Sequence, residues 1–571
     1  MAEGSVCSQL AIPDVLVPPI YVRAIIYLPI QPSVTPDEVY STLRQGLIKT
    51  MHQIPLLSGK VFLRPPSSPG WIPGQLELRH DDTWNPPTDP RVDPRQLHRK
   101  DLSKEISYTY KDLKDLGFPC NLFEDDIVVV APFVPNVAAG TDVFRAQVNF
   151  VEGGCLLGVA FYHPVADAFG MALIMQAWAA HCNAVSSLEV SWQAEEIAKR
   201  LQSNTWDRGI VTRVFDEHDD GSTLEHVTPA AWTMVGLDKK LQQNCLKVQP
   251  MDRILKHLLF LTLSILPILF DVLVVLEHVD WRALKTAAYS AVMSTAFPPG
   301  SSKRPNGGSP VTRDHLPSKD GDLDQQDRPE RPKMQSSCVF YISTTQFAQL
   351  KKDLKGIDRR GAAISGNDAI LALFWRCSLR ARVNARHAVT YPQDQISLLQ
   401  CPTDARGVYS SSHTTNYTGN FLVLSEASHP LHKLISEETS LQEIALLVRE
   451  SSSAMTRENV HQALILAREI KDYTAIDFAF TRVEGTAMEI TSLAGFPAEQ
   501  FNLGDRVFAN GGRAERLRPL MAGFNGAHRT CIILPKLQQG GLEVVVSLFA
   551  DELEELLRDE EFGRYAKFVC N

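Results

Sequence analysis

Two β-rich runs, Phe144–Val151 and Cys155–Tyr162, are joined by Glu152-Gly153-Gly154 and lead directly into His163-Pro164. A glycine pair between two such runs predicts an antiparallel hairpin. Beyond Asp167, the residues Met171, Ala172, Leu173, Met175, Ala177, Trp178 and Ala179 predict a helix that is apolar on most sides and therefore buried. The chain thus runs strand, turn, strand, histidine, turn, helix, and a fold that accommodates this order must lay a helix against a sheet, which places it in the α/β class.

With 571 residues the chain exceeds what one hydrophobic core supports. We expect two globular halves, residues 1–205 and 338–571, with crossover, insert and linker material over 206–337. Apolar residues make up 44% and charged residues 22%, the texture of a globular protein. The net charge of −9 and the lack of a long Lys/Arg run argue against a nucleic-acid partner. Ten cysteines occur with no C-x-x-C pair and no His/Cys cluster at zinc spacing, so neither a disulfide framework nor a metal site is expected. Cys155, Cys377 and Cys531 lie in apolar runs and read as buried thiols of a reducing compartment. Met1 to Pro13 lacks the pattern of a secretory signal, so the expected location is cytoplasmic.

An early helix is specified by Thr35-Pro36-Asp37-Glu38, a capping box with proline in the first turn. Val39, Leu43, Leu47 and Met51 then form one stripe, which should pack on a sheet, until Pro55 ends the helix. Gly59 to Pro94 is dense in proline and glycine and reads as irregular. Ser301 to Gln335 has too few apolar groups to order itself and reads as a linker. In the second half we expect a strand at Cys338–Ser343 and a helix at Gln346–Leu354. Ser365 should lead into an apolar helix over Ala369–Ala381, Gly541–Phe549 should form a strand, and the acidic stretch Asp551–Tyr565 a solvated closing helix. Leu258–Leu276 is almost wholly apolar and about long enough to cross a bilayer. A single crossing there would separate the two halves, so membrane contact through 258–276 is not the favoured reading. A buried or interfacial helix, or translated intron sequence, fits better.

His163 is the candidate for chemistry. Moving an acyl group onto an alcohol needs a base titrating near neutrality, and imidazole supplies one. A thioester asks for little more, because its thiol leaves readily once the same imidazole returns the proton. Asp167 lies four residues on, but Pro164 keeps the pair off a common helix face. Asp167 should sit in the turn, capping the next helix or binding an arginine. Taken alone, the pattern favours a buried histidine bonded to backbone at a strand end. His429-Pro430-Leu431-His432 lacks the neighbouring acids or cysteines of a metal site, and Arg376 with Arg380 reads as a salt-bridged helix edge or as partners of a phosphate.

Ala146–Phe150 with Phe161–Gly170 resembles the H-x-x-x-D region of the BAHD-type CoA-dependent acyltransferases, in particular their fungal branch resembling trichothecene 3-O-acetyltransferase. The resemblance extends in order to Ile54–Gly59, Ile364–Ala369 with Phe374-Trp375-Arg376, Asp404-Ala405-Arg406 and Tyr417–Asn420. It implies a two-domain fold of mixed sheets with helices and a central channel entered by acyl-CoA and acceptor from opposite faces. No bound cofactor is implied, acyl-CoA being a co-substrate. By position His163 matches the family's general base, Asp167 its structural acid and Arg406 that acid's partner. The second signature, D-F-G-W-G, departs here to Asn502-Leu503-Gly504, which removes a charge and an aromatic ring; groups near Asn502 are still candidates to hold an oxyanion. The resemblance therefore implies an O-acyltransferase, acetyl being the first acyl group to consider, acting as a monomer on a small hydroxylated natural product. A catalytically weak scaffold of the same fold is the alternative.

Overall fold

The computed structural model describes residues 5–81, 94–186, 196–197, 199–201, 206–217, 227–236, 334–386, 388, 390–409, 414, 416–476, 483 and 485–571. Three sheets organise it. The first half is built on a five-stranded sheet in the spatial order Arg516–Pro519, Tyr21–Pro29, Gly154–Tyr162, Phe144–Val151, Leu97–Asp101. The predicted hairpin forms its centre, with Phe144 opposite Phe161 and Val151 opposite Gly154. Every residue of Gly154–Tyr162 is buried, as a central strand covered on both faces must be.

Helix α1 (Pro36–Gln53) begins at the expected capping box: Thr35 Oγ1 accepts from the Glu38 N–H at 3.3 Å and Glu38 Oε2 from the Thr35 N–H at 2.8 Å. Its stripe of Val39, Leu43, Leu47 and Met51 is fully buried. The main partner of that stripe is helix α2 (Ala168–Ser186) rather than a sheet, and the two are tied by Trp178 Nε1 donating to the Leu43 carbonyl at 2.9 Å. Helix α2 in turn rests on the sheet, where Trp178 meets Phe144 edge-on.

Residues 59–81 are more ordered than the composition of Gly59 to Pro94 suggests, while 82–93 lie outside the described residues. Strands Lys60–Leu63 and Leu76–Asp81 join Ser5–Gln9 and Thr141–Asp142 in a small four-stranded sheet, and the glycines and prolines fall in the turns between them.

The second half is a seven-stranded mixed sheet in the order Leu422–Pro430, Ile396–Asp404, Met488–Ser492, Thr530–Ile533, Leu542–Leu548, Ser336–Ile342, Lys567–Cys570. Helix α3 (Gly366–Asn384), capped by Ser365 and Asp368, lies on one face over a core that includes Phe340, Leu399, Ile490, Cys531 and Val546.

Two further expectations need correction. The order of the second sheet begins at Ser336, and Gln335, expected in the linker, is 4% exposed, its amide donating to the Asn525 and His528 carbonyls. The acidic closing stretch is two helices, Ala550–Arg558 and Glu560–Gly563. It is broken at Asp559, which caps the second, and Glu552 is buried against Arg529 instead of facing solvent.

The halves are not separate in space. Arg516–Pro519, from the second half of the chain, pairs antiparallel with Tyr21–Pro29 and so completes the first sheet. Phe501, Leu503, Val507 and Phe508 likewise enter the core of the first half. Leu258–Leu276 lies outside the described residues; among the described residues no helix is long and apolar enough to cross a membrane.

Candidate active site

His163 opens a short 3-10 turn, His163–Val165, at the end of the central strand Gly154–Tyr162. Its N–H donates to the Ile20 carbonyl at 2.9 Å, and its own carbonyl accepts from the Ala166 N–H at 3.2 Å and from Asn420 Nδ2 at 2.9 Å. Two residues on, the Val165 carbonyl accepts from Arg208 Nη2 at 2.7 Å. The turn is therefore held by Ile20, just before the strand Tyr21–Pro29, by Arg208 of the crossover and by Asn420 of the second half at once. Nδ1 is buried. Burial lowers the imidazole pKa below its usual value, which keeps the ring neutral and able to take up a proton at pH 7.

Asp167 is 0% exposed and fully engaged. Oδ1 accepts from the Phe169 and Gly170 N–H groups at 3.1 and 3.3 Å, which caps α2, and Oδ2 accepts from the Phe421 N–H at 3.1 Å. Arg406 Nη2 bonds both oxygens, at 3.1 and 2.9 Å. Arg406 also reaches the carbonyls of Tyr417 and Gly419 and the Asp404 carboxylate. Asp167 thus fixes the turn and the start of α2, and no hydrogen bond joins it to His163 among the described residues.

A second buried ion pair, which the sequence reading missed, stands beside this one. Asp14 is 0% exposed and meets Arg208 Nη1 at 3.3 Å. Its Oδ1 accepts from the Asn420 N–H at 2.8 Å and Asn420 Nδ2 at 3.1 Å, its Oδ2 from the Ala11 N–H at 2.8 Å. Asn420 Nδ2 therefore spans Asp14 and the His163 carbonyl, while Arg208 spans Asp14 and the Val165 carbonyl. The available signal was a lone acid inside the apolar run Leu10–Val17. Nothing local marks Arg208; Asn420 ends the Tyr417–Asn420 motif, but its partners are remote in sequence and its role was not legible there.

Close approach fixes two glycines of this region. A Cβ on Gly170 would strike the Thr418 carbonyl, and one on Gly419 would strike Arg208 and the Tyr417 ring. Helix α2 and the segment Tyr417–Asn420 pass each other with backbone nearly in contact.

The remaining candidates lie elsewhere. Asn502 Oδ1 accepts from the Gly504 N–H at 2.9 Å, and Gly504, with φ of 113°, sits against Ser186 at the C-terminal end of α2. His163 precedes the other end of that helix, roughly 28 Å away at ~1.5 Å per residue. Groups near Asn502 are thus too remote to stabilise an oxyanion at His163, and the expectation that they do so is withdrawn. Arg376 is spent on the carbonyls of Ser436 and Thr439 and Arg380 on Asp559 and Glu561, so both belong to the packing of the second half. His429 and His432 border a surface cavity of about 620 Å³ with Lys433, Glu438 and Glu443. That cavity is at the far end of the strand Leu422–Pro430, whose opposite end follows Phe421 beside Asp167.

Residues 20–182 match the trichothecene 3-O-acetyltransferase-like N-terminal domain and residues 286–562 match the Transferase family. The chain belongs to this family, and it is an acyl-CoA acyltransferase with the two-domain BAHD fold. Its relatives are fungal. It is 26% identical over 459 residues to the eremophilane O-acetyltransferase prx11 of Penicillium rubens, covering 80% of this chain and 78% of that protein. It is 24% identical over 567 residues to the acyltransferase clz6 of Cochliobolus lunatus, covering 98% and 95%. A match at 25% identity to the isocyanide synthase-NRPS hybrid crmA of Aspergillus fumigatus covers 95% of this chain and 30% of that longer protein. Among solved structures, F. graminearum TRI101 complexed with coenzyme A and deoxynivalenol superposes with a TM-score of 0.66 at 17% identity, over 99% of this chain and 100% of that one. Vinorine synthase superposes at 0.52 and 12% identity, over 100% and 96%.

Proposed function

We propose that the protein transfers an acyl group, acetyl in the first instance, from acyl-CoA to a hydroxyl of a small secondary metabolite, with His163 as general base. The carrying observation is a histidine clamped at its own N–H, its carbonyl and the Val165 carbonyl, and held neutral by burial. In this reading the acceptor hydroxyl gives its proton to the imidazole as its oxygen attacks the thioester carbonyl, and a tetrahedral oxyanion forms. Collapse of that intermediate breaks the C–S bond, and the imidazolium returns the proton to the departing thiolate, leaving an ester and free CoA. With Nδ1 turned into the protein, Nε2 is the nitrogen left to act. Asp167 and Arg406 set the turn without exchanging protons, and Asn502 with Gly504 serves as a structural loop at the distant end of α2.

The acetyl choice and the hydroxylated acceptor are supported by the relatives whose names state O-acetyl transfer. A division after residue 205, with the second half opening at Gln335–Ser336, a monomeric state and a cytoplasmic location belong to the same proposal, the last supported by nine free cysteines among the described residues.

The test is release of free thiol from acetyl-CoA with purified protein and a panel of hydroxylated terpenoids. His163→Ala should lower kcat by about 10²–10⁴-fold, the usual worth of a positioned acid–base group, while CoA binding persists. Undiminished turnover in that variant would remove His163 from the reaction.

A further inference from the structure

The seven-stranded sheet has two unlike faces. Leu399, Ile490, Cys531, Val546 and Cys338 point into the apolar core beneath α3. On the opposite face the register aligns polar side chains in one row. Glu426 lies opposite Gln400, Gln400 opposite Glu489, and Glu489 opposite Thr530. The pairing of Cys531 with Val546 carries the row on to Ser547, which lies opposite Ser337.

This face is turned toward the first half: Asn121 Nδ2 donates to the Ser337 carbonyl at 3.1 Å, and Cys120 packs with Val339 and Val545 in the adjoining row. At that end the polar groups are satisfied within the protein, since Asn525 Oδ1 accepts from Ser337 Oγ at 3.2 Å and from Ser547 Oγ at 2.7 Å.

The other end is different. Gln400 and Thr530 are 2% and 3% exposed, yet Gln400 Oε1 and Thr530 Oγ1 find no hydrogen-bond partner among the described residues. Gln400 Nε2 donates to Glu426 Oε2 at 3.1 Å, and Thr491 Oγ1 donates to Glu489 Oε1 at 3.4 Å. Glu489 and Glu426 are only partly covered, between fully buried neighbours on their strands. Burial pushes the Glu489 carboxyl up to about 7. A sheet face built for packing alone would not leave two enclosed polar atoms unmet beside two carboxyls. The same strand continues from Gln400 to Asp404, which holds Arg406, the partner of Asp167. Four residues at ~3.3 Å each put the row roughly 13 Å from that clamp, within the reach of one small molecule.

We propose that Gln400, Glu489, Glu426 and Thr530 form the acceptor-recognition surface of the channel, hydrogen-bonding the non-reacting hydroxyl groups of a polyhydroxylated, uncharged acceptor. The inference rests on the acyl-transfer reading of His163. None of the four residues carries a cation that could hold the phosphates of CoA, which leaves this wall to the acceptor.

The experiment compares acceptor pairs that share a skeleton and differ by one non-reacting hydroxyl, using the full chain with acetyl-CoA. Gln400→Leu and Glu489→Met should each lower the preference for the more hydroxylated partner by about ten-fold or more, the scale of a lost hydrogen bond in a site built to make it. The acetyl-CoA KM should stay within about two-fold, and Glu489→Gln, which keeps a carbonyl acceptor, should recover part of the preference. Unchanged discrimination in a folded variant, or equal losses for acceptor and acetyl-CoA, would overturn the proposal. If Glu489→Met does not fold, Gln400→Leu decides on the same criterion. Equilibrium binding of the same acceptor pairs in the presence of CoA reads the row without turnover. An enzyme that binds them selectively but releases no thiol would thus refute the acyl-transfer reading and leave the row standing.

Discussion

Asp167 and Arg406 form a buried pair whose carboxylate also receives three backbone N–H groups. Breaking such a pair by removing one partner leaves an uncompensated charge, at a cost of about 3–5 kcal/mol. Arg406→Met should therefore lower the melting temperature sharply, and calorimetry of the purified variant would show it. The converse expectation holds for His163→Ala, which removes no ion pair and should melt close to wild type. His163 itself makes a pH prediction. Its pKa is lowered by burial, so the unfolded chain takes up a proton that the folded chain does not, and the neutral base persists below the usual histidine value. The acid limb of kcat/KM should accordingly fall below pH ~6.5, and a profile losing half its rate above that value would contradict the assigned base.

At the scale of elements, what could be read from the sequence was what is local. The capping box at Thr35, the hairpin joined through Glu152-Gly153-Gly154, the helix led in by Ser365 and the buried stripes of α1 and α2 depend on neighbours a few residues away. Each formed where the pattern placed it. The partner of α1 was not legible, because an apolar stripe does not state whether a sheet or a helix will cover it. Nor was the break at Asp559, where a cap competes with helix continuation. In the site, His163 stood out by its motif, whereas Asp14, Arg208 and Asn420 act through contacts spanning hundreds of residues. One element-level prediction follows from the close passage of α2 and Tyr417–Asn420. Gly170→Ala introduces a methyl group against the Thr418 carbonyl and should destabilise the protein by about 1–3 kcal/mol, as overpacking does, with a matching fall in denaturation midpoint.

For the whole molecule, the strand Arg516–Pro519 makes the first half incomplete by itself. Residues 1–236 expressed alone would leave Tyr21–Pro29 as a bare edge, and such edges pair with other chains. That fragment should aggregate, and should become soluble when residues 334–571 are supplied with it; size-exclusion chromatography separates the outcomes. The acid stability of the whole chain follows from its buried histidines. Burial pushes His528 down to about 4 and lowers His181 and His163 as well. Stability from these groups is complete above pH ~6.5 and is lost as the pH falls toward the folded values, about 3 kcal/mol of it from His528 alone once the pH is well below 4. Melting temperatures measured between pH 7 and 4 should fall steadily, and a flat profile would contradict the burial of these rings.

The bonds from Asn420 to the His163 carbonyl and from Phe421 to Asp167 also set an order in time. During synthesis the motif leaves the ribosome more than two hundred residues before Arg406 and Asn420, two of the groups that hold its turn. Until Arg406 and Asn420 emerge, the histidine has its strand but neither of these clamps. On the proposed reading, a product truncated before that point carries the whole motif without two of its clamps, and should release far less thiol from acetyl-CoA than the full chain.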